Sequence, residues 1–365
     1  ILTCLRITAL YISPLELSVD EAQYWDWSNR LAFGYFSKPP IIAWLISLSS
    51  SIFGNEEWAI RVLSPIIHFL IAIILWNCSN LLFGGKSGSL TALIWMTLPV
   101  SSLGSFIIST DTPLLLFWSI SLLALIKTIK ENNLFWLAAL GISLGLGFLT
   151  KYAMLYFVVI LILFSIINRK NKDVRFYKIS LVLLLFLTIA SPNIYWNYYN
   201  ELSTLKHTIY NANITGINFN ITEAGVFLIS QFLVFGPLLF LVFILNIWKY
   251  FFEKNELSIL PFFSITILLI IILQAFLKTS NANWAVTAYP AGCILISGLM
   301  INRYQFFTRF LINLGILINL VLSIFILKVS ISGNLYPLKL ESDPLRKLKG
   351  FENQAQSIKK IMEEE

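Results

Sequence analysis

Long apolar blocks alternate with short polar breaks along almost the whole chain. A helix needs roughly 20 apolar residues to cross a bilayer. The blocks at 59–83, 89–108, 111–127, 134–150, 152–168, 178–196, 224–248, 258–277, 284–301 and 309–328 predict one crossing each. The block Ile1–Pro14 would reach only about 21 Å as a helix, short of a hydrocarbon layer of about 30 Å. It reads as the rest of a first membrane helix that begins before Ile1, for a total of roughly eleven helices. Gly84-Gly85, Asn132-Asn133 and the charged stretch Asn168–Lys178 supply turn and loop chemistry between spans. Pro40–Phe53 is too short to cross. Pro39-Pro40 at its start and Gly54 after its end predict a helix lying along the membrane interface. From about Asn334 the chain turns polar, which predicts a membrane domain over 1–330 and a tail over 331–365 with a short helix at 351–364.

Composition narrows the class. Of 365 residues, 57% are hydrophobic and 12% charged, about half the charge of a soluble domain. The fold class is all-α, a polytopic membrane protein in contact with membrane lipids. The net charge of +7 is then topology information, and no nucleic-acid partner is expected. With the loop around Asp20 placed outside, the inside loops hold Lys86, Lys127, Lys130, Arg169, Lys170, Lys172, Arg175, Lys178, Lys249, Lys254, Arg303 and Arg309. The outside segments between spans hold only Arg30, Lys38, Arg61, Lys151, Lys206 and Lys278. That imbalance obeys the positive-inside rule. It puts loop 15–57, Asp111, Lys151, the 192–223 loop and Asn281-Ala-Asn-Trp284 on one extracytoplasmic face.

Cys4, Cys78 and Cys293 show neither metal-ligand spacing nor an even count for disulfides, and His68 and His207 are too few for a metal cluster. No cofactor and no metal ligand are assigned, although a divalent ion stays open. The chain has no P-loop, no Gly-rich dinucleotide turn and no soluble domain large enough for a nucleotide-sugar fold. On a face without nucleotide sugars, a lipid-linked sugar is the natural donor. Heavy use of Ile, Lys and Asn hints at an AT-rich bacterial genome, hence a plasma membrane.

Charged groups between membrane segments are costly and mark sites. The stretch Ser18–Pro40, SVDEAQYWDWSNRLAFGYFSKPP, places Asp20 and Glu21 ahead of an aromatic helix. Ser18 and Glu21 fit a capping box, which accounts for Glu21 alone; Asp20 is a candidate general base. Tyr24, Trp25, Trp27, Phe33, Tyr35 and Phe36 suit an interfacial aromatic belt, with sugar stacking open to one or two. Lys38, beside a rigid Pro-Pro turn, and Lys151, interrupting an apolar run, are either solvated lysines or phosphate contacts. Asp111, between Thr110 and Pro113, fits a helix cap better than a ligand when taken alone. Asn193, Asn197 and His207 at the end of one span are ordinary loop polarity or glycan donors. The sequons at Asn213 and Asn220 are weak patterns.

Together the blocks VDEAQYWDWS, GYFSKPPIIAWL, FGNEEWAIRVLS, STDTPLLLFW, GLGFLTKYAM, SPNIYWN and NANWAVTAYP resemble the protein O-mannosyltransferase and lipid A aminoarabinose transferase superfamily of integral-membrane glycosyltransferases, with the GT-C fold. The resemblance covers nearly the whole chain and implies a polyprenyl-phosphate sugar donor. The implied acceptor is a glycolipid such as lipid A, or in second place a protein hydroxyl. A ligase that moves a preassembled glycan and a lipid-linked-sugar transporter are the rivals. By resemblance Asp20 matches the loop-one aspartate that serves as catalytic base or orients the acceptor, with Glu21 its motif neighbour. Asp111 matches a second acidic position, Lys38 a lysine at the carrier phosphate, and Lys151 a second basic position. The tail DPLRKLKGFE resembles the entry to a C-terminal region that is largely missing here, so the chain is expected to be truncated at both ends.

Overall fold

A computed structural model describes residues 1–167, 176–211, 219–251, 256–302, 305–336 and 343–364. These are helical, without strands among the described residues. The order is α1 (Leu2–Tyr11), α2 (Val19–Ser28), α3 (Ile41–Phe53), α4 (Glu57–Arg61), α5 (Leu63–Phe83), α6 (Ser87–Thr97) and α7 (Pro99–Gly104). Next come α8 (Asp111–Glu131), α9 (Leu134–Phe148), α10 (Leu155–Ile167), α11 (Phe176–Tyr199), α12 (Ser203–Asn211) and α13 (Ile221–Val234). Last are α14 (Pro237–Asn246), α15 (Trp248–Phe251), α16 (Ile259–Leu277), α17 (Tyr289–Asn302), α18 (Phe306–Ser332) and α19 (Phe351–Glu364). Short 3-10 turns at Tyr152–Met154 and Ala282–Ala288 lead into α10 and α17.

Six helical runs among the described residues are long and apolar enough to cross a membrane: Glu57–Phe83, Asp111–Glu131, Lys178–Tyr199, Glu256–Leu277, Ala282–Ile301 and Phe306–Ser332. Four shorter apolar helices, Leu2–Tyr11, Ile41–Phe53, Leu134–Phe148 and Tyr152–Ile167, accompany them. The chain is a multi-pass membrane protein.

Two expected spans are broken. The block 89–108 divides at Leu98, whose ψ of 139° leaves the helical region ahead of Pro99, as the residue before a proline is driven to do. The Met96 carbonyl left at that break accepts from Nη2 of Arg6 at 2.6 Å. Arg6 is a buried cation on α1 that also bonds Ser102 and Ser105. The block 224–248 turns by 113° between α13 and α14, at Gly236 (φ +92°) and Pro237. Asn319 of α18 fills this corner: its amide donates to the Phe235 carbonyl at 3.2 Å, and a Cβ on Gly236 would lie 1.9 Å from its Oδ1. Only glycine tolerates both that backbone and that approach. The bent pair still runs from end to end of the bundle, because Phe219 packs on Phe276 and Phe251 on Phe262, at opposite ends of α16.

The core is aromatic and close-packed, with Trp118, Phe157 and Phe263 meeting at centroid distances of 4.9 and 4.4 Å. Helices α9 and α11 approach through Gly141 and Gly145, where a Cβ would come within 2.7 Å of Leu185 and 2.5 Å of Ile189, as small residues permit in membrane bundles.

The polar segments expected on one face do gather at one end of the bundle, as the contacts described below establish. The tail docks there too. The Leu348 carbonyl accepts from Glu16 N–H at 3.0 Å, and the Glu16 carboxylate accepts from Phe351 N–H at 2.6 Å at the start of α19. The basic segment at 168–175, Lys254, Arg303 and the sequon at Asn213 lie outside the described residues. Asn220 caps α13, its Oδ1 accepting from Glu223 N–H at 3.1 Å.

Candidate active site

Helix α2 starts where the capping box dictates: Ser18 and Glu21 bond each other's backbone N–H groups. Glu21 does far more than cap. Its carboxylate is fully buried and accepts from Nε and Nη2 of Arg61 at 2.8 Å each, and from Ile108 N–H at 2.9 Å. Arg61 also donates to the Leu15 and Glu16 carbonyls at 2.8 and 2.7 Å. One buried ion pair thus ties α2, α4, the loop before α8 and the exit of α1 together. This saturated geometry leaves Glu21 no path to a substrate proton, which departs from its expected catalytic place beside Asp20.

Asp20, one residue earlier, has the opposite environment. It is exposed, and its carboxylate makes no hydrogen bond or ion pair among the described residues. Tyr24 lies one turn on, buried against Ile42, Ile46, Ile60 and Ile108. Burial, then the charges of Asp20, Asp111 and Glu21, push its hydroxyl up from the ordinary tyrosine value. The expected interfacial belt is in part a packed core: Trp27 stacks on Tyr35 at 4.8 Å and Tyr24 meets Trp27 at 5.6 Å.

Asp111 is not a cap. The cap position of α8 is Thr110, and the Asp111 carboxylate instead accepts from Lys151 Nζ at 2.7 Å and Asn283 Nδ2 at 2.6 Å. Lys151 therefore arrives with its own counterion. Lys38 does not: its ammonium is half-buried and makes no ion pair among the described residues. Burial and the nearby Lys151 lower its pKa from the ordinary lysine value, while Asp20 and Asp111 pull it back. Asp20, Tyr24, Lys38, Asp111 and Lys151 accordingly act on one another electrostatically, as one constellation.

Loop one, between α1 and α5, is clamped onto α11 and α12. Asn193 Nδ2 donates to the Phe33 carbonyl at 2.6 Å, and Thr204 donates to the Tyr35 carbonyl at 2.6 Å. Gly34 sits so close to Trp196 that a Cβ would lie 2.4 Å from its ring. Asn197 and Asn193 share the Tyr152 hydroxyl at 3.0 and 2.9 Å. Both asparagines are buried, so they position loop one from below. His207 packs edge-on against Phe36 at 5.2 Å; burial and Lys38 lower its pKa, and Asp20 opposes them. Among the described residues no three His, Cys, Asp or Glu side chains could surround a metal ion.

Sequence reasoning passed over Arg61, Asn283 and Tyr152 as site builders. Each stood inside a block already singled out (EEWAIRVLS, NANWAVTAYP and FLTKYAM), but its partner lies 40 or more residues away.

The site thus pairs a carboxylate and an ammonium that have no ion-pair partner among the described residues, at one end of a membrane bundle. Residues 37–196 match the dolichyl-phosphate-mannose-protein mannosyltransferase family. The lipid A galacturonosyltransferase RgtD of Rhizobium johnstonii is 33% identical over 309 residues, 83% of this chain and 64% of that protein. An undecaprenyl phosphate-α-4-amino-4-deoxy-L-arabinose arabinosyl transferase of Pseudomonas fluorescens is 30% identical over 140 residues, 35% of this chain and 24% of its own length. The crystal structure of ArnT from Cupriavidus metallidurans bound to undecaprenyl phosphate aligns with a TM-score of 0.71 and 16% identity, covering 94% of this chain and 66% of that one. The chain shares the fold of ArnT and is similar in sequence to these sugar transferases. It spans less than two thirds of the length of the galacturonosyltransferase, 64%.

Proposed function

We propose that the protein transfers a glycosyl group from a polyprenyl-phosphate-linked sugar to a glycolipid of the lipid A type, on the extracytoplasmic face of a bacterial inner membrane. The observation that carries this is Lys38: a half-buried ammonium without a counterion among the described residues, near enough to Asp20, Asp111 and Lys151 to feel their charges. A phosphate monoester at a membrane end completes such a cation. The relatives add the chemistry, since one bears the name of a lipid A sugar transferase and the ArnT structure holds undecaprenyl phosphate.

In the proposed reaction an acceptor oxygen attacks the anomeric carbon and its proton passes to an Asp20 oxygen. The bond from the anomeric carbon to the phosphate oxygen breaks, and its electron pair leaves on the polyprenyl phosphate. Charge grows on that phosphate as the bond opens, so Lys38 stabilises the transition state more than the ground state. Asn283 and Lys151 hold Asp111 beside it.

Lys38→Met should lower transfer from a radiolabelled polyprenyl-phosphate sugar by about 10²–10³-fold, the usual loss for one preorganised electrostatic contact. The Lys38 pKa lies below its ordinary value of 10.5, so the cation is lost as pH rises through that lowered value. Affinity for the phosphate therefore falls on the alkaline side, earlier than for an exposed lysine. An unchanged rate in Lys38→Met would remove the phosphate assignment.

The excess of basic residues in the opposite loops supports the extracytoplasmic placement. A single cysteine at Asn200, exposed at the α11–α12 corner, with Cys4, Cys78 and Cys293 replaced by Ser, should react with an impermeant maleimide in intact spheroplasts. Labelling only after lysis would invert the topology.

A further inference from the structure

We infer that the groove between Phe36 of loop one and the α11–α12 corner is a glycan subsite that holds the saccharide head of the acceptor beside Asp20. This deepens the transferase reading above and rests on it. The groove has a volume of about 930 Å³, large enough for a disaccharide and within the range of ligand sites. Four aromatic rings line it, those of Phe36, Trp196, Tyr199 and Tyr210, and every other lining side chain is polar or charged. A polyisoprenoid chain would select aliphatic walls. Aromatic faces between amide, hydroxyl and charged groups suit a sugar, whose C–H faces stack while its hydroxyls find donors and acceptors.

Two further observations point the same way. The Ser203 hydroxyl in the groove wall has no hydrogen-bond partner among the described residues, an uncommon state for a buried polar atom. The corner is also held in an unfavourable backbone: Glu201 and Leu202 have φ of 54° and 58°, which only strong surroundings maintain in residues other than glycine. Those surroundings are the Leu202 N–H donating to the Asn197 carbonyl at 2.7 Å and Thr204 donating to the Tyr35 carbonyl at 2.6 Å. The corner and loop one therefore form a fixed wall pair. His207, in the lining and against Phe36, joins the groove to the charges of Lys38 and Asp20.

The test uses the full-length protein in detergent and a soluble glucosamine disaccharide as probe, read by saturation-transfer NMR and calorimetry. Tyr199→Ala and Tyr210→Ala are the variants, since both side chains are mostly exposed (66% and 82%) and can be shortened without touching the core. Saturable binding is expected to the unaltered protein. It should weaken about five- to tenfold in each tyrosine variant, the worth of one aromatic face, with polyprenyl phosphate binding unchanged. Absence of saturable disaccharide binding overturns the inference, as does a Tyr199→Ala protein that loses polyprenyl phosphate instead, which would make the groove a donor-chain site. A protein that binds the disaccharide through these tyrosines but transfers nothing from any polyprenyl-phosphate sugar keeps the subsite and sinks the transferase reading.

Discussion

Asp20→Asn is expected to reduce glycosyl transfer by about 10²–10⁴-fold, the range of a positioned general base, while the protein still inserts and unfolds at its normal temperature. The reason is the contrast between two adjacent carboxylates. Glu21 is buried and saturated by Ser18, Arg61 and Ile108, whereas Asp20 is exposed and free of partners among the described residues. Removing the Asp20 charge breaks no hydrogen bond or ion pair among the described residues; it gives up a weak helix-dipole interaction of about 0.3–1 kcal/mol and the attraction to Lys38 and His207. An amide of the same shape cannot take a proton, so the loss should appear in kcat with polyprenyl phosphate affinity retained. Transfer of radiolabelled sugar by purified Asp20→Asn at a near-normal rate would end the assignment.

The largest stability effect should come from Arg61, far from any reacting atom. Arg61→Leu strands the Glu21 carboxylate in a site with no solvent contact, and breaking such a pair typically costs about 3–5 kcal/mol. It also frees the Leu15 and Glu16 carbonyls and with them the start of loop one. The midpoint of thermal unfolding in detergent should fall steeply, and activity with it, because α2 carries Asp20. Adding Glu21→Gln to Arg61→Leu removes the stranded charge and keeps one acceptor oxygen, for Ser18 or for Ile108, so the double variant should regain part of the lost stability. Equal midpoints for Arg61→Leu and the unaltered protein would show that the pair does not hold the loop.

Local chemistry made much of this legible in the sequence. Apolar block length announced the membrane helices, since a bilayer imposes one length on any crossing segment. The capping box at Ser18 and Glu21 and the Gly54 end of α3 are short-range devices that residues a few positions apart settle among themselves. The breaks at Pro99 and Gly236 were written there too, but as single residues inside apolar runs they are outvoted by the pattern around them. Whether Gly236 bends the chain by 113° or passes unnoticed depends on Asn319, 83 positions later.

The same limit applies at the site. The chemistry-bearing residues Asp20, Lys38, Asp111 and Lys151 stood out because charge is rare in an apolar chain. Their division of labour did not. That Glu21 belongs to Arg61, that Asp111 pairs with Lys151 and Asn283 instead of capping α8, and that Lys38 is left without a counterion among the described residues are outcomes of packing helices distant in sequence. A residue's type sets what it can do. Which of its charges are neutralised, and which remain for a substrate, is decided only when those helices meet, because an ion pair acts over a few ångströms of space whatever the separation along the chain.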